Sequence, residues 1–197
     1  MQGYKFLAAM GLLAISSMNA SARYIEADPI GWNSGQANNY AYVDGNPVSY
    51  VDPRGLATAV VLSGGINSNP FGHIGVGTTG GGVYSYGTRD PYGDSMSDYL
   101  AGQVKDRNVE IAILDTTPQQ ELQIQLAMRN NVGNYSVTSH NCATAVSDSL
   151  YGAGIMPNHN PSIFPGQIFS SVLGLPGAQY VYIPKGGTIP SILAPFK

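Results

Sequence analysis

The apolar residues of this chain form short runs with strand-like alternation, and glycine or proline separates the runs. Five segments are rich in β-branched or aromatic residues and predict strands: TAVVLSG, HIGVGT, GVYSYGT, VEIAIL and QYVYIP. The second and third segments are joined by TTGGG, which predicts a β-hairpin. This glycine cluster lacks the Gly-Lys-Ser/Thr of a phosphate loop and leads back into a strand.

Two segments with helical periodicity follow the predicted hairpin. The first has Thr117 as N-cap and Pro118 at the first helical position, and it runs through QQELQIQLAMRNN until VGN ends it. Leu122, Leu126 and Arg129 share one side of this helix, so we expect that side to pack.

The second helix is predicted to begin at Cys142, because Ala143, Val146 and Leu150 recur at helical spacing. Asn141 or Ser139 would cap it. Cys142 then lies in the first turn, where free backbone N–H groups and the helix dipole favour negative charge, and this placement predicts a stabilised thiolate. Strands and helices together predict an α+β fold.

Composition excludes several functional classes. The chain carries 9 Lys and Arg against 12 Asp and Glu without a basic run, so we do not expect nucleic acid as a partner. Only 11% of residues are charged, and Gly 25, Pro 13 and Tyr 13 favour a loop-rich protein over a helical bundle.

The first 22 residues have the pattern of a signal peptide. Lys5 precedes the apolar run FLAAMGLLAI, and NASA supplies small residues for cleavage after Ala22. The remaining sequence has no run approaching the roughly 20 apolar residues of a membrane span. We therefore expect a secreted or periplasmic protein without an integral membrane segment after removal of the signal.

Residues 23–56 carry a long and specific motif, RYIEADPIG…NNYAYVDGNPVSYVDPRGL. It resembles, nearly end to end, the core motif that closes the β-cage of bacterial Rhs-repeat proteins, although a signal-like peptide stands here in place of the strand repeats. The resemblance implies that Asp52–Leu56 mark the junction at which the family cuts itself. It also implies that residues 57–197 form a C-terminal effector, a toxin with a possible immunity protein as partner.

Cys142 is the single cysteine of the chain. The thiol can be a small buried apolar group, half of an intermolecular disulfide, a metal ligand or a nucleophile. Three scattered histidines lack the short paired spacing of zinc ligands, and Asp90, Asp94 and Asp98 lack the register of an EF-hand, so we expect neither metal nor cofactor. We expect the segment that carries these three aspartates to be a solvated loop.

A nucleophilic cysteine requires a base. His73 opens a predicted strand after NPFG and is the best candidate. His140 precedes the thiol by two residues and is expected to support the cap or the site, and His159 lies in a polar loop. The function classes left open are hydrolysis or acyl transfer through the thiol, and a non-catalytic binding or structural role.

The order of HIGVG on a strand, a second strand, and then NC at a helix start resembles the circularly permuted papain-like superfamily of NlpC/P60-type hydrolases and related acyltransferases. The resemblance implies an antiparallel sheet packed against a Cys-bearing helix, with Cys142 as nucleophile and His73 as base. Ser85, with Tyr84 as the alternative, matches the residue that orients the histidine. The backbone N–H of Cys142 would contribute to an oxyanion hole, with Asn141 nearby.

These resemblances together predict a secreted bacterial Rhs-type cysteine hydrolase. Its substrate would be an amide bond in a peptidoglycan peptide or a protein. The alternatives are a lipid ester hydrolase or acyltransferase with the same dyad, or a non-catalytic Rhs fragment.

Overall fold

One antiparallel sheet forms the centre of the part of the chain that the computed structural model describes, residues 55–90, 92–131 and 133–197. The predicted signal peptide and the Rhs-like motif up to residue 54 lie outside the described residues. In chain order the strands are β1 Ala57–Ser63, β2 His73–Thr78, β3 Gly82–Tyr84, β4 Val109–Asp115 and β5 Gln179–Ile183. Their order across the sheet is β3-β2-β1-β4-β5, and every neighbouring pair is antiparallel.

All five predicted strands are present, and the predicted hairpin joins β2 to β3. Gly80 and Gly82 have positive φ angles of 66° and 69° in its turn, a conformation that residues with a Cβ rarely adopt. The hairpin brings the beginning of β2 close to the segment that follows β3.

In the described residues, four α-helices and one 3₁₀ helix accompany the sheet. They are α1 Met96–Gln103, α2 Pro118–Asn130, α3 Cys142–Gly152 and α4 Pro165–Leu173, with the 3₁₀ turn at Ser191–Leu193. Thr117 caps α2 in a capping box with Gln120, as the sequence predicts. Asn141 caps α3, and this settles the choice between Asn141 and Ser139.

Side chains alternate between two cores on opposite faces of the sheet. Val60, Ile74 and Val76 point to one face, where they pack with α2, α3 and α4. Ala59 and Val61 point to the other, where they pack with α1 and the C-terminal segment. Each fully buried aliphatic side chain of this kind contributes about 1.5–3 kcal/mol. Both faces are therefore covered, which explains the nearly continuous burial of β1 and β2.

The packing side of α2 differs from the predicted one. Leu122 and Leu126 are 47% and 45% exposed, whereas Ile124 and Met128 are buried in the core. Glu121 is also buried, because its carboxylate accepts hydrogen bonds from strand and loop residues rather than from water. A polar residue on the packing side concealed the true helical period.

Two helices were not predicted from the sequence. The segment containing Asp90, Asp94 and Asp98 was expected to be a solvated loop, but its end forms α1, in which the Ser95 hydroxyl accepts the N–H of Asp98. Helix α4 begins at Pro165 without a side-chain cap. Neither helix shows the polar cap followed by a long apolar period that identifies α2.

The described residues thus form an α+β fold with a five-stranded antiparallel sheet. Within them, no helix combines the length and apolar character needed to cross a membrane.

Candidate active site

His73 and Ser85 form a buried pair at one end of the β2–β3 hairpin. His73 is the first residue of β2 and Ser85 follows the last residue of β3. Nε2 of His73 lies 2.7 Å from Oγ of Ser85, and both side chains are almost fully buried. The contact follows from the hairpin, because its antiparallel pairing returns the chain to the level of His73. The structure therefore brings together two of the three residues to which the sequence assigns catalytic roles.

Burial also determines the charge of His73. Removal from water, together with the Arg107 guanidinium, lowers the pKa of its imidazole to about 4, while the Asp90 carboxylate acts in the opposite direction. His73 is consequently neutral near pH 7. Within the described residues its Nδ1 has no hydrogen-bond partner, and in the tautomer with hydrogen on Nε2 this atom can accept a proton.

Cys142 is the first residue of α3 and is buried. Its cap, Asn141, accepts the N–H groups of Ala143 and Thr144 at 2.9 and 3.2 Å and donates to the carbonyls of Val137 and Ile163 at 2.9 and 3.0 Å. Asn141 thereby fixes the start of α3 to the loops before and after it. Its role is to position the cysteine within the fold.

The thiol of Cys142 differs from the expected thiolate. Burial raises its pKa, and this effect outweighs the hydrogen bonds that lower it, from the N–H of Ile74, the Tyr135 hydroxyl and the N–H groups of Ala143 and Cys142. The helix start was expected to dominate, but desolvation in an apolar core opposes the charged form more strongly. Cys142 is a neutral thiol at rest.

Cys142 lies against the backbone of β2 beside His73. The thiol meets the N–H of Ile74, the residue directly after His73. By strand alternation Ile74 points into the core that contains Cys142, while His73 points to the face of α1. In the described part of the chain no hydrogen bond joins the thiol to the imidazole. The two groups are neighbours at the end of β2, and a direct contact requires the side chains to turn toward that end.

The other predicted site residues have different contacts. The Tyr84 hydroxyl accepts a hydrogen bond from Arg129 at 2.9 Å and lies in the α3 core, so it does not orient His73. The His140 ring stacks edge-on against Tyr86 at a centroid distance of 5.1 Å. His140 thus supports the loop before α3. Outside the site, His159 pairs with Asp148 at 2.6 Å on the surface.

An exposed aromatic pair near the site was not predicted. Phe71 and Phe164 are 60% and 43% exposed, and their rings contact each other with a centroid distance of 5.6 Å. Phe71 precedes His73 by two residues, and Phe164 follows Ile163, whose carbonyl binds the Asn141 cap. The sequence signal was an aromatic residue beside a Gly or Pro in both NPFGH and SIFPG. These rings provide an apolar surface next to the cysteine and the histidine.

In the described part of the chain, the candidate site is neither arranged as a metal centre nor part of the cavity near the C-terminal segment. Among the described residues, no group of three or more His, Cys, Asp or Glu side chains is placed to hold a metal ion. A cavity of about 230 Å³ lies between Ser97 and the C-terminal segment, and none of the predicted site residues lines it.

Comparison with known proteins gave no match: no family model, no curated protein and no solved structure is similar to this chain.

Proposed function

We propose that residues 57–197 form a permuted papain-like effector domain of a secreted bacterial Rhs-type protein. The domain would hydrolyse an amide bond in a peptidoglycan peptide or a protein. One observation supports this most directly: Cys142 begins a helix against the backbone of β2, and the first residue of β2 is a neutral histidine held by Ser85. A neutral imidazole and a helix-start thiol at the same end of β2 are the two groups that nucleophilic catalysis requires, and their side chains must turn toward each other before the proton can pass.

The reaction would begin from a neutral thiol and a neutral imidazole. Nδ1 of His73 removes the thiol proton as Sγ of Cys142 attacks the carbonyl carbon, and the resulting oxyanion accepts the N–H of Cys142. The C–N bond then breaks, and the amine leaves with the proton from His73. Water attacks the thioester and gives its proton to Nδ1. The acid is released, and the proton returns to the thiol.

A second reaction deserves a separate test because of the Phe71–Phe164 pair. The same thiol and imidazole can cleave a lipid ester or transfer its acyl group, and an exposed apolar surface beside the cysteine would bind an acyl chain. If the substrate is a lipid ester, Phe71→Ser and Phe164→Ser would slow the turnover of long-chain esters far more than the turnover of acetyl esters.

The first experiment uses p-nitrophenyl acetate as the acylating probe and intact mass spectrometry as the readout. We expect an acetyl group on Cys142 in the wild type and none in Cys142→Ser. His73→Ala should slow acetylation by about 10²-fold, within the usual range for loss of a general base. His159→Ala is the matched control, because His159 is a surface histidine paired with Asp148, and it should react like the wild type.

Equal acetylation rates in the wild type and in His73→Ala would contradict the proposal, because the thiol would then react without the histidine. The substrate classes are then separated with purified peptidoglycan, casein and a phospholipid ester. New amino groups in the first or second identify an amidase, whereas fatty acid release from the third identifies a lipid esterase.

A further inference from the structure

Behind the His73–Ser85 pair lies a group of buried hydroxyls that the proposed reaction does not yet use. Tyr99 of α1 is 2% exposed and Ser63 of β1 is fully buried. Within the described residues, neither hydroxyl has a hydrogen-bond partner. Buried hydroxyls normally have a partner, so their arrangement requires a reason.

The fold places these hydroxyls around the histidine. Ser63 is the cross-strand partner of His73, and Gly75 follows two residues later on the same strand, so all three share the face toward α1. A Cβ at Gly75 would lie 3.4 Å from the Tyr99 hydroxyl oxygen and 3.7 Å from Cβ of Ser85. The phenol therefore occupies the space that glycine leaves open, next to Ser85.

The protonation of Tyr99 fits this position. Burial raises the pKa of its hydroxyl to about 12, while the neighbouring hydroxyls of Ser85 and Ser63 act in the opposite direction. Tyr99 is thus a neutral phenol whose oxygen both serines can approach.

The proposed reaction requires one particular tautomer of His73. Nδ1 can accept the thiol proton only if the resting hydrogen is on Nε2, and Nε2–H must then donate to Ser85 Oγ. Ser85 accepts that bond reliably only when its own hydroxyl hydrogen points to another acceptor. If it points to Nε2 instead, the ring hydrogen moves to Nδ1 and the base is lost.

We propose that Tyr99 is a positioning residue that accepts the Ser85 hydroxyl hydrogen and so holds His73 in its Nε2–H form. The Tyr99 hydroxyl in turn donates toward Ser63. The use of Nδ1 as a base rests on the proposed function, but the tautomer itself does not. Arg107 and Asp90 are the charged groups that act on the same imidazole, and the test keeps both unchanged.

Long-range proton–nitrogen NMR of ¹⁵N-histidine-labelled protein measures the tautomer directly. We expect the Nε2–H form of His73 in the wild type and a shift of most of the population to Nδ1–H in Tyr99→Phe. Tyr182→Phe is the matched control, because Tyr182 is half-exposed on β5, and it should leave the tautomer unchanged. An Nδ1–H wild type, or an unchanged tautomer in folded Tyr99→Phe, would overturn the inference.

Tyr99→Met provides a second route if Tyr99→Phe does not fold. The flexible methionine side chain adapts to irregular core space and also lacks the hydroxyl. The same tautomer shift is expected, and its absence in folded Tyr99→Met counts against the inference.

Acetylation of Cys142 by p-nitrophenyl acetate separates this inference from the proposed function. If both hold, Tyr99→Phe should lower the acetylation rate at pH 7 about tenfold or more, since a general base contributes roughly 10²–10⁴-fold. His73-dependent acetylation with an unchanged tautomer in Tyr99→Phe would leave the function standing and overturn the role of Tyr99. A shifted tautomer with no His73-dependent acetylation in the wild type would do the reverse.

Discussion

Nε2 of His73 lies 2.7 Å from Oγ of Ser85, and this contact joins the beginning of β2 to the segment after β3. The orientation of the imidazole is therefore set by the hairpin itself. Any change in the hairpin register would remove the serine from the histidine, because a shift of one residue moves every side chain to the other face.

Ser85→Ala tests how much this contact contributes to stability and to the reactivity of Cys142. The variant leaves a buried imidazole N–H without a partner, so we expect the free energy of unfolding to fall by about 1–3 kcal/mol. Acetylation of Cys142 should also slow, because the ring loses its orientation. Urea unfolding and mass spectrometry measure the two effects. Ser170→Ala removes an exposed hydroxyl that bonds Gly166 and should change neither quantity by much; equal behaviour of the two variants would contradict the role given to Ser85.

The pH dependence of acetylation follows from the imidazole. A base must be neutral, and since the pKa of His73 is about 4, the rate should stay level from about pH 8 down to pH 5 and fall as the pH passes through about 4. Arg107→Gln removes a cation that lowers this pKa and should move the acidic limb to higher pH. Asp90→Asn removes the carboxylate that raises it and should move the limb to lower pH. A limb that stays in place in both variants would assign it to another group.

Because of Glu121, we expect a contribution that lowers the free energy of unfolding as the pH rises. Burial raises the pKa of its carboxyl to about 7 against an ordinary value of 4.5, and hydrogen bonds from Thr79 and Thr116 only partly oppose this. The folded state therefore holds a proton that the unfolded state has lost between about pH 4.5 and 7, and stability decreases across that window. Glu121→Gln should remove this contribution, so its urea midpoint should rise from pH 5 to pH 8 relative to that of the wild type. Glu110→Gln, at a carboxylate bonded to the exposed Tyr180, should not.

His73 has the opposite effect on stability over nearly the same range. Its folded pKa of about 4 lies below the ordinary value of 6.5, so the unfolded state binds the extra proton and stability is lost as the pH falls from about 6.5 to 4. The two groups offset each other in the wild type. We expect His73→Gln to show a clear decrease in stability with rising pH and Glu121→Gln a clear increase; parallel pH curves for the two variants would refute this assignment.

Asn141→Asp separates the two functions of the α3 cap. Aspartate still accepts the N–H groups of the first turn and preserves the helix, but it cannot donate to the carbonyls of Val137 and Ile163. We expect the circular dichroism of the helices to be retained while hydrogen exchange becomes faster in the segments around these carbonyls. Asn141→Ala should lose both functions and about 1–2 kcal/mol of stability. Similar exchange in Asn141→Asp and the wild type would show that the two donated bonds contribute little.

Local sequence patterns were sufficient for much of the fold. The five strands have β-branched or aromatic runs with sharp Gly and Pro boundaries, and Thr117 and Asn141 are strong caps that determine where α2 and α3 begin. The sequence could not predict Glu121 on the packing side of α2, because its acceptance of Thr79 and Thr116 depends on the tertiary fold.

The contact between His73 and Ser85 was predictable from the sequence, but the electrostatics around it were not. The hairpin pairing makes Ser85 a neighbour of His73, and this can be read from the spacing of the two strands. The raised pKa of Cys142 depends on how much apolar surface covers the thiol, which no local pattern reveals. Tyr99 was missed for the same reason, since it reaches Ser85 from a helix on the opposite side of the sheet from α3.

The position of β1 has a mechanical consequence. It is the middle strand of the sheet, paired along its length with both β2 and β4, and the chain enters it directly from Gly55 and Leu56. A force that pulls the domain through a narrow pore by its N-terminal side must shear two ladders of hydrogen bonds at once. A force on the C-terminal side acts first on the 3₁₀ turn and then on β5 at the sheet edge, where strands can be peeled away one pair at a time. The direction of threading therefore decides how strongly the fold resists transport.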